Sequence, residues 1–104
     1  MREAVTINVG RDFSRFPSGR TPDDSAFSGE AFREKFLKAP LLANRDVIVE
    51  LDDAISYGSS FLEEAFGGLV RVYGLQKESL TTHLKPVSFD KALIEEIWSY
   101  IRLA

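Results

Sequence analysis

Segments with the hydrophobic period of a strand alternate three times along this chain with segments that have the period of a helix. VTINV at residues 5–9 alternates apolar and polar residues before Gly10, which predicts a strand with one buried face. VIVEL at residues 47–51 is nearly all apolar and rich in β-branched residues, which is typical of a central strand covered on both faces. Partial alternation over residues 80–87 predicts a third strand.

Each predicted strand precedes a segment whose apolar residues repeat at helical spacing. The first helix is predicted over residues 28–39, because Pro40 should end it. The second is predicted over residues 60–73 and ends at Gly74, since glycine readily adopts the left-handed conformation found at helix ends. The third begins between residues 88 and 90 and carries an apolar stripe toward the end of the chain.

This alternation predicts an α/β fold, with a small, mostly parallel or mixed β-sheet and about three α-helices packed on it. The chain has 104 residues, of which 44% are hydrophobic, and this is enough for one core. We therefore expect residues 1–104 to form a single domain.

Charge and composition narrow the classes of function. The chain has no Cys, so disulfide frameworks and thiolate metal or redox sites are excluded. Its net charge of -3 disfavours binding to nucleic acid. No apolar run approaches the ~20 residues of a membrane span, and the N-terminal sequence lacks the apolar stretch of a signal peptide. We expect a cytoplasmic protein that binds neither nucleic acid nor membrane.

The predicted topology brings two loops together. Residues 11–28 contain two prolines and Gly19 and are predicted to form an ordered loop, with a short strand at residues 12–16. This loop follows the first strand, and the loop before Ser59 follows the second. Because the carboxyl ends of parallel strands lie at one edge of a sheet, we expect Arg20 and Ser59 to be neighbours.

The start of the second helix, ISYGSSFLEEAFGG at residues 55–68, has a structural interpretation. Ser60 and Glu63 have the spacing of a capping box, in which each side chain accepts a hydrogen bond from the other residue's amide. Phe61 either folds under the preceding loop or stands on the surface as an anchor for a partner. The paired glycines that follow predict a close approach to another element, since each costs about 1 kcal/mol in a helix.

Three stretches of the sequence carry a family resemblance: Gly19-Arg20, SGEAFR at residues 28–33, and SSFLEEAFGGL at residues 59–69. They are similar to motifs of the STAS-like family. Residues 47–71 also resemble the strand, loop and helix of the STAS domains of anti-sigma-factor antagonists. The resemblance implies the same fold class.

In the antagonists, a partner kinase of the GHKL ATPase type phosphorylates the first serine of the pair, and the phosphate breaks the complex. The resemblance places that serine at Ser59 and implies a non-enzymatic bacterial-type regulator that works by partner switching, with no cofactor or metal. Such a protein would bind a GHKL-type ATPase or kinase. The partner-binding residues that it implies are Gly19, Arg20, Gly58, Ser59, Ser60, Phe61 and Glu64. Here Gly58 stands where the antagonists have aspartate, and Phe61 where they have glycine.

Other functions remain open from the residues alone. In a small-molecule binder or small enzyme, Arg20 would hold an anion in the same cleft; otherwise it ties its own loop together through Asp23 or Asp24. Trp98 in the last helix either covers the sheet or joins a second copy in a structural homodimer. His83 is predicted on the polar face of a strand as a solvated or hydrogen-bonded residue. No catalytic triad is evident, and the adjacent acid pairs lack the spacing of metal ligands.

Overall fold

A three-stranded parallel sheet is the framework of the computed structural model, which describes residues 4–104. The strands are β1 (Val5–Asn8), β2 (Val47–Glu50) and β3 (Leu84–Val87), and they lie in the order β1-β2-β3. Helices connect β1 to β2 and β2 to β3. The predicted α/β class, and the central place of the second strand, are therefore confirmed.

Five helices accompany the sheet in the part of the chain that the structure describes: α1 (Val9–Asp12), α2 (residues 29–42), α3 (residues 59–71), α4 (Lys77–His83) and α5 (Lys91–Leu103). Both α2 and α3 contain a wider π-helical turn, at Arg33–Leu37 and at Glu63–Gly67. The α-helical parts on either side are Gly29–Phe32 and Lys38–Leu42 in α2, and Ser59–Leu62 and Gly68–Arg71 in α3. The three longer helices are the three that the sequence predicts.

The hydrophobic core lies on one face of the sheet. The buried strand residues on that face are Ile7, Val47, Val49 and Leu84. They join the buried side chains of α2, α3 and α5 in one cluster; α2 also contacts α3, and α5 contacts α3. Ile48 and Glu50 alternate with the buried residues of β2 and are only half-buried. The prediction that this strand is covered on both faces is therefore wrong.

Pro40 does not end the first long helix, which continues to Leu42. The π turn at Arg33–Leu37 comes just before the proline, and the amide of Lys38 donates to the carbonyl of Arg33, five residues back. Wider turns of this kind are one way in which a helix accommodates an interruption of its regular hydrogen bonding. The expected stop at Pro40 is corrected accordingly.

Two predicted strand segments are helical or irregular. Residues 77–83 form α4, and only residues 84–87 form a strand. Leu80 and Leu84, the two buried residues here, are four apart, a spacing that puts two residues on one face of a strand as well as of a helix, so the partial alternation does not distinguish the two. The short strand expected at residues 12–16 is absent, because β1 passes directly into α1.

The paired glycines of α3 allow close packing, as predicted. A Cβ atom on Gly68 would lie 2.2 Å from Nη1 of Arg33 on α2, and one on Gly67 would lie 3.3 Å from the carbonyl oxygen of Tyr100 on α5. Neither distance leaves room for a side chain without movement. Gly74, at φ +69°, follows α3, and its amide donates to the carbonyl of Val70, which confirms the predicted end of this helix.

Candidate functional site

The loop of residues 13–28 lies directly against the start of α3. The amide of Ile55 donates to the carbonyl of Arg15 at 2.7 Å, and the amide of Gly58 donates to the carbonyl of Pro17 at 3.4 Å. These backbone hydrogen bonds join two segments that are about forty residues apart in sequence. The prediction that the Arg20 loop and the Ser59 loop are neighbours is confirmed.

Aromatic packing holds this loop in place. The ring of Phe13 lies 5.3 Å from that of Phe32 and 5.8 Å from that of Phe36 in α2, and it lies 6.2 Å from that of Phe61 in α3. Phe61 is 0% exposed. Of the two alternatives for Phe61, packing under the loop is therefore correct, and the surface anchor is wrong, because its ring fills the space between loop and helices.

Tyr57 fixes the segment that leads into α3. Its hydroxyl donates to the carbonyl of Leu51 at 2.6 Å, which ties the end of β2 to the residues before the helix. Burial, followed by the nearby charges of Asp52 and Asp53, raises the pKa of the Tyr57 phenol. The hydroxyl therefore remains protonated and keeps its donor role throughout the physiological range.

The start of α3 differs from the predicted capping box. Gly58 is the N-cap residue, with φ −71° and ψ 142°, and no side chain caps the helix. Ser59 and Ser60 are already in the first turn of the helix and are exposed. Glu63 contacts Arg20 and Arg71 instead of the Ser60 amide. The capping box is therefore wrong, because the loop packing positions the chain so that the helix begins two residues earlier than the box requires.

Arg20 connects the loop to α3 through two carboxylates. Its Nη1 donates to Glu63 and, at 3.2 Å, to Glu64. The backbone amide of Arg20 donates to Asp24 at 3.1 Å, and Gly19, at φ +85°, makes the turn that directs the arginine toward α3. The side chain of Arg20 thus pairs with the two carboxylates of α3 across the junction. It does not pair with Asp24, which is what the alternative within its own loop predicts.

A buried ion pair lies beneath this junction. The side chain of Arg33 is 3% exposed and that of Glu64 is 11% exposed, with Nη1 donating to the Glu64 carboxylate at 2.6 Å. The same nitrogen donates to the Glu64 carbonyl at 2.7 Å, and Nε donates to the Tyr73 hydroxyl at 3.3 Å. Burial, followed by the hydrogen bond to Glu34, raises the pKa of Tyr73 to about 12.

The two glutamates of α3 stay ionised because arginines surround them. Burial alone would raise the pKa of Glu64, but hydrogen bonds from Arg33 and then Arg20 outweigh it, and the pKa lies below its usual value. The hydrogen bond from Arg71, then that from Arg20, likewise lowers the pKa of Glu63 against the effect of partial burial. Negative charge therefore persists at the junction at neutral pH, matched by three guanidinium groups.

Arg33 and Arg71 belong to this network of arginines and glutamates but are not among the predicted site residues. A signal exists for Arg33, which precedes the buried Leu37 by four residues and so falls on the apolar stripe of its helix. Arg71 follows Glu64 by seven residues, two helical turns, on the same face of α3. Glu64, by contrast, is a partner-binding residue in the prediction; in the structure the whole residue is only 9% exposed and its carboxylate pairs with arginines of this chain.

Four exposed residues of the junction and the half-buried Arg20 form a small mixed surface, called here the loop-end surface: Phe16, Arg20, Ile55, Ser59 and Ser60. Phe16 is 62% exposed and Ile55 is 59% exposed, although both are large and apolar. The hydrogen bond between the amide of Ile55 and the carbonyl of Arg15 brings these two segments together. Gly19 and Gly58 lie half-buried beneath them. Apolar side chains and two hydroxyls are thus presented at one end of the sheet.

Several other candidates have structural roles. Nδ1 of His83, the last residue of α4, lies 2.9 Å from a carboxylate oxygen of Asp46, which confirms a hydrogen-bonded histidine. Trp98 is half-buried and packs against the core, and its predicted alternative role in a homodimer stays a prediction. Over residues 4–104, no group of three or more His, Asp or Glu side chains is placed to hold a metal ion. None of the helices in that range is long and apolar enough to cross a membrane.

Comparison with known proteins identifies one family. The model of a family described as a STAS-like domain of unknown function (DUF4325) matches residues 28–92, which include α2, α3 and the whole of the second and third strands. The resemblance found in the sequence motifs and the predicted fold are both confirmed by this match. No curated protein and no solved structure matches the chain.

Proposed function

Since this chain belongs to the family of STAS-like domains, we propose that it is a non-enzymatic regulatory module that binds a partner protein through the loop-end surface. The observation that carries the proposal is the exposure of Phe16 and Ile55 on two segments that backbone hydrogen bonds join directly before the exposed Ser59 and Ser60. Exposed apolar side chains next to polar groups are a usual composition for a protein-binding surface.

Rigidity of the surface supports the proposal. Backbone hydrogen bonds hold both loop segments, and the ring of Phe13 anchors the loop in the aromatic cluster. The Arg20 side chain is held by Glu63 and Glu64. A surface fixed in this way loses little conformational entropy when a partner binds, so modest contact area can give useful affinity.

A phosphate on Ser59 would act on binding more than on folding. The hydroxyl is exposed at the first turn of α3, where the helix dipole and the backbone amides favour negative charge. A partner matched to the neutral serine would instead meet about two negative charges. By analogy with the anti-sigma-factor antagonists, the partner would be a GHKL-type ATPase or kinase that modifies this serine.

The neighbouring charges weaken the alternative in which Arg20 holds a small anion. Its guanidinium already contacts Glu63 and Glu64, and both carboxylates would repel a second anion at the same place. Thermal-shift screening against nucleotides and acidic metabolites separates the two functions. An anion binder would be stabilised by its ligand, and a docking module would show no shift.

The test of the proposed function compares three forms of the protein as bait in its own cells: wild type, Ser59→Asp and Thr81→Asp. Thr81 is exposed on α4 and serves as the matched control for added charge. We expect a partner that wild type and Thr81→Asp capture and that Ser59→Asp loses. Intact mass spectrometry of the wild-type bait shows whether Ser59 carries a phosphate. Identical partners for all three forms would remove the basis of the proposal.

A further inference from the structure

An open groove lies at the carboxyl end of the sheet, on the face opposite the core. Asn8, Glu50 and Val87 pair across β1, β2 and β3 in one row at this end. The residues one position earlier in β1 and β2, Ile7 and Val49, point into the core, so this row points the other way. The groove, called here the Phe89 groove, has a volume of about 280 Å³ and is lined by this row and by residues that include Asp52, Asp53 and Phe89.

Phe89 gives the groove a large apolar side chain that the core does not use. It is 97% exposed, and Val87 beside it in the lining is 48% exposed. Among the described residues it neither belongs to the core nor packs against it. Its backbone is nevertheless fixed, because the amide of Phe89 and the hydroxyl of Ser88 donate to the Asp52 carboxylate at 2.9 Å and 2.6 Å. Burying a phenylalanine ring is favourable, so a ring held in water at a fixed position favours contact with a partner.

Three carboxylates line the Phe89 groove, those of Glu50, Asp52 and Asp53, and no Lys, Arg or His of the described chain is part of its lining. The donors to Asp52 are a hydroxyl and a backbone amide, and the donor to Asp53 is the side-chain amide of Asn8, at 2.6 Å. These neutral donors fix the carboxylates in place but do not cancel their charge. The groove therefore carries three negative charges beside the exposed ring.

Arg11 and Lys85 lie near the groove, but both are directed elsewhere. Nε of Arg11 donates to Asp12 at 3.0 Å; this hydrogen bond is the largest cause of the raised pKa of Arg11, and two acids of the groove contribute less. Lys85 lies on the same face of the sheet, and its ammonium donates at 3.4 Å to the carbonyl of Thr82, which precedes β3 at the opposite end of the strand. The negative charge of the groove therefore complements a positively charged segment.

We propose that the Phe89 groove binds a positively charged segment of a partner protein, in which an arginine contacts Glu50 and an apolar side chain packs on Phe89 and Val87. Arginine fits better than lysine, because its planar guanidinium pairs with a carboxylate through two hydrogen bonds and stacks on an aromatic ring. Asp52 holds the loop that carries the ring, so it positions the site as well as adding charge. None of the lining residues belongs to the loop-end surface, so the two surfaces are tested separately.

The probe for this groove is a short glycine- and serine-rich peptide with a central arginine-leucine-arginine sequence. A matched peptide has glutamate in place of both arginines. Each peptide is titrated into the ¹⁵N-labelled full chain, and the amide shifts in a two-dimensional NMR spectrum give the affinity and the location of binding. We expect the arginine peptide to shift the amides of residues 50–53 and 87–90 and to bind at least about tenfold more tightly than the glutamate peptide, the effect of one charge-assisted hydrogen bond.

Two variants with matched controls test the ring and the charge. Phe89→Ala should weaken binding of the arginine peptide about tenfold or more, whereas Leu103→Ala, at a side chain that is 85% exposed in α5, should bind like wild type. Glu50→Lys should abolish the preference for the arginine peptide. Glu78→Lys, the same charge change on exposed Glu78 of α4, which precedes the other end of β3, should keep it.

The NMR spectrum also shows whether each variant is folded. If Glu50→Lys is not, Phe89→Ala decides, because a ring that is 97% exposed is not needed for folding. The proposal is overturned if the arginine peptide does not bind or shifts only amides elsewhere, if both peptides bind equally, or if Phe89→Ala and Glu50→Lys bind like wild type. It is also overturned if a second copy occupies the groove, shown by a mass that rises with concentration in wild type and not in Phe89→Ala.

Discussion

Replacing Glu64 by methionine tests the buried ion pair that joins α2 to α3. The substitution keeps an unbranched side chain of similar length but removes the buried carboxylate of Glu64 from the guanidinium of Arg33, whose side chain is 3% exposed. Removing one partner of a buried pair costs about 3–5 kcal/mol, because the remaining charge stays desolvated. Arg33 keeps the carbonyl of residue 64 and the hydroxyl of Tyr73 as acceptors, and the exposed carboxylate of Glu34 lies 3.5 Å from its Nε. We therefore expect the lower end, about 3 kcal/mol.

This loss is large for a domain of this size, whose free energy of unfolding is expected at about 5–15 kcal/mol. Urea unfolding followed by circular dichroism measures it, with the slope m compared between variants. Arg11→Met is the matched control, because it breaks the ion pair with Asp12, in which the arginine side chain is 66% exposed. Water and salt screen an exposed pair of this kind, so we expect the free energy of unfolding of Arg11→Met to stay close to that of wild type.

The double variant with Arg33→Met and Glu64→Met measures how strongly the two residues interact. When both charges are removed, no buried ion remains uncompensated, and the apolar side chains occupy similar volume. We expect the double variant to be more stable than Glu64→Met alone. A loss below about 1 kcal/mol in Glu64→Met, or a double variant whose loss equals the sum of the single losses, would show that the two buried charges do not stabilise each other.

Three further predictions concern the glutamates of α3, the packing of Gly68 and the cap of α5. The lowered pKa values of Glu63 and Glu64 contribute stability that is complete above the ordinary glutamate pKa and is lost as the pH falls through their pKa values in the folded protein. The midpoint of thermal unfolding should therefore fall below about pH 4, and it should fall less steeply with pH in Glu64→Gln. Gly68→Ala places a Cβ atom 2.2 Å from Nη1 of Arg33 and should cost about 1–3 kcal/mol in urea unfolding; a neutral result would mean that the arginine moves freely. Asp90 caps α5 through the amides of Ala92 and Leu93, so Asp90→Ala should cost about 1 kcal/mol and Asp90→Asn much less, and equal losses would contradict a capping role.

The elements that the sequence predicts correctly are those with one unambiguous period. The β-branched run of β2 and the long apolar stripes of α3 and α5 appear where expected, and the meeting of the two loops follows from the parallel order of the strands. Phe61 shows why a side chain's environment is harder to predict. Whether it is buried depends on where Phe13 of the distant loop lies, and this is a tertiary contact that no local pattern contains.

The errors also have physical causes. Ser60 and Glu63 have the spacing of a capping box. The start of the helix is set instead by the amides of Ile55 and Gly58, which donate hydrogen bonds to carbonyls of the loop, so the box does not form. The sequence pattern also does not predict that Glu63 and Glu64 pair with arginines. Arg33 lies on an apolar stripe, where its buried charge is compensated mainly by Glu64, which faces it from the other helix.

Site-specific photocrosslinking tests the central claim, that the loop-end surface binds a partner protein. A benzophenone amino acid replaces Phe16, which is 62% exposed at the loop-end surface, or Leu42, which is 48% exposed at the other end of α2 from the junction. After irradiation in the protein's own cells, we expect a discrete crosslinked partner from position 16 that is absent from position 42 and lost when Ser59→Asp is added. Equal crosslinking from both positions, or a position 16 product that Ser59→Asp leaves unchanged, would contradict this claim.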